Sequence, residues 1–428
     1  MKPHGQSESS LASVALCLGL ILSVSSCSST DAPAPGGSAG TAGSQASAGA
    51  PAGGSGSSGS AGISGASTGG NGTAGTSAGG TGGASGGSAG GAGQTTVGEC
   101  TPPPVDAPIE KLSLTGCMNP KDITKFADRV IPYEVNSPLW SDSAGKQRGF
   151  VIPAGKKIHI KDCATTPSEC LDSADTGKWV FPVGTVLLKN FLFNNKIVET
   201  RLFVRPDEQT WVGYSYQWDA AQTEATVIPD ERRRVMVDSG SGMVPWTYPN
   251  RVDCMKCHNS AGGFSLGPET RQLNLMVDGV NQIDTFKTKN VFDTAPTAPY
   301  QAALPDPLAS TPANDAALDK AARSYMHANC AFCHRPDNLD LGALYLDLRF
   351  DKSLKDTKMC DGAPVKSDQG VVGAKLLTPN DPAKSLTWLR VKAPEDMGRM
   401  PQIGTYEIHT AAVKLLGDWI TSIKSCPQ

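Results

Sequence analysis

The stretch RVDCMKCHNS, residues 251–260, holds two cysteines separated by two residues, with a histidine directly after the second. A second copy of this pattern lies in ANCAFCHRPD, residues 328–337. The chain has 428 residues and only six histidines, so two of the six stand in this pattern. Composition alone would give about 0.005 such matches in a chain of this length. The two copies therefore indicate a common chemical purpose.

Cys-x-x-Cys-His is the attachment pattern of c-type haem. Two thiols one helical turn apart can add to the two vinyl groups on one porphyrin edge, and the next residue then offers its imidazole to the iron. A zinc site would need further Cys/His pairs, and a thioredoxin-like motif would need a βαβ context. We expect two covalently attached haem c groups. The predicted residues are Cys254, Cys257 and His258 for the first haem, and Cys330, Cys333 and His334 for the second.

The N-terminus has the features of an export signal, residues 1–26. An uncharged apolar run of 14 residues, 11–24, suits a signal peptide and is short for a transmembrane helix. The run ends in VSSC, which resembles a bacterial lipobox and predicts lipidation of Cys27. An ordinary secretory signal followed by a free cysteine is the alternative. Acylation by two or more chains would give stable membrane anchoring through Cys27.

Residues 27–99 are rich in Gly, Ser and Ala and carry no charge between Asp31 and Glu99. Such a segment cannot bury enough apolar surface to offset its ordering entropy, so it predicts a disordered tether. The formal net charge of −3 gives no basic footprint for nucleic acid. Together these features predict a lipid-anchored protein of the cell envelope, on the periplasmic side or on the surface of the outer membrane.

Six cysteines remain outside the signal, the lipobox and the two motifs. An even number in an exported chain indicates disulfides, for which six cysteines allow 15 connectivities. Neighbour spacing favours three pairs, with the last one joining a terminal helix to a preceding loop. These pairs are Cys100–Cys117, Cys163–Cys170 and Cys360–Cys426.

Residues 100–250 are predicted to form a β-rich domain. GKWVFPVGTVLLKNFLFNNKIVETRLFVRP, residues 177–206, has apolar runs broken by turn residues and predicts a hairpin. The spacing of Trp211, Tyr214, Tyr216 and Trp218 indicates a packed sheet face. No metal, nucleotide or catalytic-triad motif occurs in this region.

Residues 251–305 form the predicted first haem-binding segment, and residues 306–428 a helical domain with the second haem. One helix is expected to begin at the cap candidates Asn314 and Asp315. A second amphipathic helix is expected within residues 406–423, with an apolar face that runs from position 408 to position 423. The predicted fold class is α+β and multidomain.

The helical unit resembles a class I cytochrome c. The resemblance lies in a helix that leads into the second motif, Pro336 two residues after His334, and Met400-Pro401 before the closing helix. It implies that the Pro336 carbonyl accepts from the imidazole of His334 and that Met400 is the sixth ligand. A core role is the alternative for Met400, and Met397 is its nearest competitor as a ligand.

Four stretches resemble a family of exported bacterial two-haem cytochromes across about residues 110–425. The physiological role of this family is largely undefined, so the resemblance implies no substrate. From the two covalent haems we expect electron transfer, with unknown redox partners and no catalytic residue. A dihaem enzyme of the peroxidase type, with an open first haem, is the alternative. A sugar- or surface-binding module with an accessory cytochrome is a third interpretation. The stretches are PYEVNSPLWSDSAGKQR (132–148), WVFPVGTVLLKNF (179–191), CHNSAGGFSLGPETRQLN (257–274) and YMHANCAFCHRP (325–336).

Only about 50 residues separate the first motif from the helical unit, too few for an independent haem pocket. We therefore expect the first haem to lie between the β-rich and helical regions. Its sixth ligand is left open among Met276, Met243 and His327.

Overall fold

The longest hairpin follows from the alternating apolar residues around Asn194-Asn195. Strand β7 covers Val186–Phe193 and strand β8 covers Lys196–Val204. Both turn asparagines have positive φ, 46° and 60°, which is the backbone of a two-residue turn that matches the twist of paired strands. The predicted hairpin is confirmed. The structure, a computed structural model, describes residues 99–338 and 345–427.

This hairpin forms the centre of an antiparallel sheet of six strands, in the order β10-β9-β8-β7-β4-β3. The four remaining strands of the sheet are β3 (Ile131–Pro132), β4 (Gly145–Val151), β9 (Val212–Trp218) and β10 (Ala225–Val227).

Side chains alternate between the two faces of this sheet. Leu188, Leu202 and Tyr214 contribute to a core on one face. Phe150 and Phe203 point to the other face, where they pack with residues from the segment after the first motif. The four aromatic residues predicted to pack on the sheet are all less than 8% exposed: Trp211, Tyr214, Tyr216 and Trp218.

Smaller elements surround the central sheet. Two-stranded antiparallel pairs are formed by β1 (Met118–Asn119) with β2 (Asp122–Phe126), β5 (His159–Ile160) with β6 (Trp179–Val180), β11 (Arg233–Asp238) with β12 (Met243–Tyr248), and β13 (Met276–Val277) with β14 (Val280–Asn281). Short 3₁₀ helices cover Leu112–Thr115, Pro167–Glu169, Ser173–Asp175, Pro382–Lys384 and Glu395–Met397. The α-helices are α1 (Arg251–Cys257), α2 (Thr270–Leu273), α3 (Gln282–Thr288), α4 (Asp315–Asn329), α5 (Leu386–Lys392) and α6 (Thr410–Ser422).

The C-terminal region has its own helical core, in which α4 packs against α6. Asn314 caps α4 by accepting a hydrogen bond from the backbone N–H of Ala317 at 2.9 Å, so the predicted start of this helix is confirmed. Helix α6 begins later than its apolar pattern suggests. Ile408, the first residue of the predicted apolar face, precedes the helix and is 39% exposed. Ile420 lies within the helix and is fully buried.

All three predicted disulfides are present. They join Cys100 to Cys117, Cys163 to Cys170, and Cys360 to Cys426. The third connects the end of the chain after α6 to a loop 66 residues earlier. It is confirmed as the covalent link between the terminal helix region and that loop.

Hydrogen bonds cross the predicted borders between the β-rich and helical regions. The Ser137 hydroxyl donates to the carbonyl of Ser324 at 3.0 Å, and the Trp140 N–H donates to Asn329 at 2.8 Å. The described residues all fall within one compact unit.

A network of ion pairs also connects the two regions. The carboxylate of Asp175 binds Arg335, Arg349 and Lys178 at 2.8, 3.2 and 2.9 Å. Asp175, Arg335 and Arg349 are all at most 3% exposed. The network therefore joins the β-rich region to the chain that follows the second motif.

The predicted signal peptide, the lipidation site Cys27 and all of the tether up to residue 98 lie outside the described residues. Within the described ranges, no helix has the length and apolar character needed to cross a bilayer.

Candidate functional site

Helix α1 carries the first motif and lies directly on the sheet. Asn250 caps it by accepting from the Asp253 N–H at 2.8 Å. The helix crosses β9 at Gly213, where a Cβ would lie only 2.7 Å from the sulfur of Cys254. Glycine is therefore required at this position for close approach of the helix to the strand.

His258 follows α1 and is held in a fixed orientation. Its ring packs on Phe203 with 4.1 Å between centroids, and its Nδ1–H donates to the carbonyl of Phe264 at 2.5 Å. This hydrogen bond leaves Nε2 as the free lone pair, as in metal-binding histidines with a backbone partner. Burial and the nearby charge of Lys189 lower the pKa of His258 to about 3, which keeps the imidazole neutral at physiological pH.

The second motif follows α4 and ends in His334, which is half-buried. Burial and the charge of Arg390 lower the pKa of His334. Its Nδ1 has no hydrogen-bond partner among the described residues, so the implied bond to the Pro336 carbonyl is not formed.

The four motif cysteines are free thiols, whereas the other cysteines of the described ranges are all paired in disulfides. Burial raises the pKa of Cys254 and Cys333 to about 11 and that of Cys257 and Cys330 to about 12. Reactive and redox-active cysteines have lowered pKa values, so these thiols do not have the character of a thioredoxin-like pair. Two unpaired thiols per motif, each pair with a neutral imidazole beside it, fit the attachment of haem.

The two motifs are in direct contact. The side-chain amide of Asn259 donates to the carbonyl of Phe332 at 3.1 Å, and the Cys333 thiol donates to the carbonyl of Lys256 at 3.4 Å. A Cβ at Gly262 would lie 3.4 Å from that of Phe332. Sequence reasoning placed the first haem between two regions but did not anticipate that the motifs themselves touch.

The structure separates the two methionines considered for the second haem. Met397 is 60% exposed, whereas Met400 is half-buried and its N–H donates to the carbonyl of Arg390 at 3.0 Å. Burial favours Met400 over Met397 as a ligand.

None of the three residues considered for the sixth ligand of the first haem is free and buried. Met243 and Met276 are 59% and 63% exposed. His327 uses both ring nitrogens: Nδ1 accepts from the N–H of Phe350 at 3.1 Å, and Nε2–H donates to Glu269 at 2.7 Å. To bind iron, His327 would have to give up at least one of these two hydrogen bonds.

A further aromatic cluster adjoins the second motif. Trp140 stacks on His409 with 3.8 Å between centroids, and Tyr325 bonds the Nδ1 of His409 at 3.2 Å. Burial and the charge of Lys146 lower the pKa of His409 to about 4. Trp140 lies in one of the stretches that carry the family resemblance, but nothing in the local pattern indicated a contact with the closing helix.

An open cavity lies between the sheet and the two motif segments. All four stretches that carry the resemblance to two-haem cytochromes contribute to its walls. Of the 22 lining residues, only Lys178 and Arg349 fall outside these stretches. The basic side chains of the cavity include Lys146, Arg148 and Lys189.

Comparison of the chain with protein-family models, curated proteins and solved structures finds no match. Among the described residues, no three His, Cys, Asp or Glu side chains converge into a group that could hold a bare metal ion.

Proposed function

We propose that this protein is an exported c-type cytochrome that carries two covalently bound haems and transfers electrons. The direct contact between the two Cys-x-x-Cys-His motifs carries the proposal, because it brings the two attachment sites together in one folded unit. Bound haem would supply the one-electron chemistry of its iron. The protein contributes ligands, spacing and exclusion of water.

In this proposal the thiols of each motif hold one haem covalently, and the two histidines are proximal ligands. His258 is oriented for this role by the Phe264 carbonyl, and His334 follows directly after the second pair of cysteines. Met400 is the proposed distal ligand in a class I-like cytochrome c domain, residues 306–428. A thioether at this position raises the reduction potential relative to a second imidazole.

The proposed location is the cell envelope, with anchoring through a lipid on Cys27 and a tether to the folded part. The redox partners would be proteins of the same compartment. In this proposal the first haem-binding segment packs against the β-rich region. The close approach of Cys254 to Gly213 supports this arrangement.

The surroundings of the first motif support one alternative function. Because Met243 and Met276 are exposed and His327 is doubly hydrogen-bonded, the first iron would lack an obvious sixth ligand. An open iron binds small ligands, as in a dihaem peroxidase-type oxidoreductase. The electron-carrier function nevertheless remains our proposal, because the nearby carboxylates already have partners. Asp253 of the motif helix pairs with Arg232 and Lys256, and Glu269 is bonded to His327.

A pyridine haemochrome assay on the purified protein tests the main proposal. We expect two haems per chain that survive acid–acetone extraction, and one in the variant in which Cys254 and Cys257 are both replaced by Ala. Absence of covalent haem would refute the proposal.

Addition of carbon monoxide to the reduced protein then separates carrier from enzyme. A Soret band that does not respond supports a carrier. Prompt binding of one ligand per chain, together with peroxide turnover, would instead establish the alternative.

A further inference from the structure

Four basic side chains form a cluster on one face of the six-stranded sheet. The register places Arg148 of β4 opposite Lys189 of β7, and Lys189 opposite Arg201 of β8. Lys146 lies two residues before Arg148 and therefore on the same face. Like charges that face each other on neighbouring strands are destabilising unless an anion offsets them.

Few carboxylates pair with these four basic side chains. Arg201 has a bidentate partner in Glu199, at 2.7 and 2.9 Å. Arg148 reaches only the exposed Glu134, at 3.5 Å. The charge of Asp142 also acts on Lys146, but among the described residues no carboxylate lies within ion-pair distance of either lysine.

The two lysines lack ionic partners within the described residues. Lys146 donates only to the carbonyl of Ala144, at 3.3 Å, and no hydrogen bond or ion pair reaches Lys189. Burial and the charges of Arg148 and Arg201 lower the pKa of Lys189 to about 7. Such a depression is the mark of a cation without compensation.

Three of the four basic side chains of this cluster face the cavity. Lys146, Arg148 and Lys189 line the cavity described above, together with Gly262 after the first motif and Phe332 within the second. The carboxylate on its wall, Glu269, is bonded to His327. The first motif adjoins the same face of the sheet, because the His258 ring packs on Phe203 of β8 with 4.1 Å between centroids, and Phe203 lies two residues after Arg201.

We propose that Lys189, Lys146 and Arg148 bind the propionate carboxylates of the haem attached at Cys254 and Cys257. Haem carries its two propionates on the porphyrin edge opposite the vinyl groups, so a haem held by its vinyl edge presents two anions away from the thiols. Three cations in the cavity would form charge-assisted hydrogen bonds with them. This inference rests on the proposed two-haem function.

The test is a redox titration of the holoprotein with both haems attached. Lys189→Met should lower the potential of the first haem, because a nearby cation stabilises the reduced and less positive iron centre. Lys189→Arg should restore the potential. Lys196→Met is the matched control, since Lys196 lies on β8 of the same sheet but is exposed, and it should leave the potential unchanged. The variant with Cys254 and Cys257 replaced identifies which potential belongs to the second haem.

If Lys189→Met shifts the first-haem potential no more than Lys196→Met while two haems are attached, the propionate assignment is overturned and the two-haem proposal stands. If haemochrome analysis finds fewer than two haems in the wild type, the proposed function itself fails.

A second arm distinguishes propionates from a free oxyanion. Inorganic phosphate added to the wild-type holoprotein should not shift the first-haem potential, because the cations are already occupied. A phosphate-dependent shift that is lost in Lys189→Met would show that the cavity binds a free anion and would overturn the assignment.

Discussion

Replacement of Asp175 by Asn should be among the most destabilising single changes in the folded region. Asp175 is 3% exposed and accepts from three cations, two of which belong to the chain after the second motif. The amide has the same shape but no charge, so Arg335, Arg349 and Lys178 would face each other without a central anion. Removal of one partner from a buried ion pair typically costs about 3–5 kcal/mol.

Urea unfolding of the holoprotein measures this effect. With an m value of about 3 kcal/mol/M, the midpoint should fall by roughly 1 M or more in Asp175→Asn. Asp122→Asn is the control, because Asp122 pairs with Lys125 at 2.9 Å on an exposed strand and such pairs contribute little. Equal midpoints for the two variants would refute the reasoning.

The pH dependence gives an independent check. Burial alone would raise the pKa of Asp175, but the charges of Lys178 and Arg335 and the hydrogen bonds from its neighbours hold it below its usual range. A depressed pKa adds stability above the unfolded value near 4, and that stability is lost as pH falls through the folded value. The difference in unfolding free energy between wild type and Asp175→Asn should therefore be constant above about pH 5 and shrink below about pH 4.

Three further changes give separate outcomes. Gly213→Ala should destabilise the protein by about 1–3 kcal/mol and reduce haem attachment at the first motif, as measured by urea unfolding and haemochrome content, because the new methyl would overlap the Cys254 sulfur. Gly145→Ala is its control, since a Cβ there meets its nearest neighbour at 3.6 Å, and equal effects would contradict the packing argument. Met400→Ala should remove the weak long-wavelength band of methionine-ligated ferric haem and lower that haem's potential, and the same loss in Met397→Ala instead would reassign the ligand. Cys27→Ser should release the protein from membranes into the soluble exported fraction, and a membrane-bound variant would argue against lipid anchoring through this residue.

Local features of the fold could be predicted because they depend on short stretches of sequence. The hairpin around Asn194-Asn195 follows from alternation and turn residues, and the start of α4 follows from Asn314 as a cap. The disulfides followed neighbour spacing. The start of α6 was predicted less well. Ile408 fits the apolar period of α6 but precedes the helix, and the next residue, His409, stacks on Trp140.

The long-range contacts of the candidate site could not be predicted in this way. Asn259 meets Phe332 because α1 packs on the sheet through Gly213, while α4 is bonded to Ser137 and Trp140. His327 illustrates the same limit, because its spacing before the second motif suggested a ligand. Its two nitrogens bind Phe350 and Glu269, residues that are remote in sequence.

The disulfide between Cys360 and Cys426 has a kinetic consequence for the proposed distal ligand. It closes a covalent ring of chain that contains Met400 between its two ends. A methionine that left the iron would stay at a high effective concentration near it, because its segment is tied at both sides and has little conformational freedom to gain. Rebinding would then be an intramolecular recapture, so a small ligand that entered the second site would face continual competition from Met400.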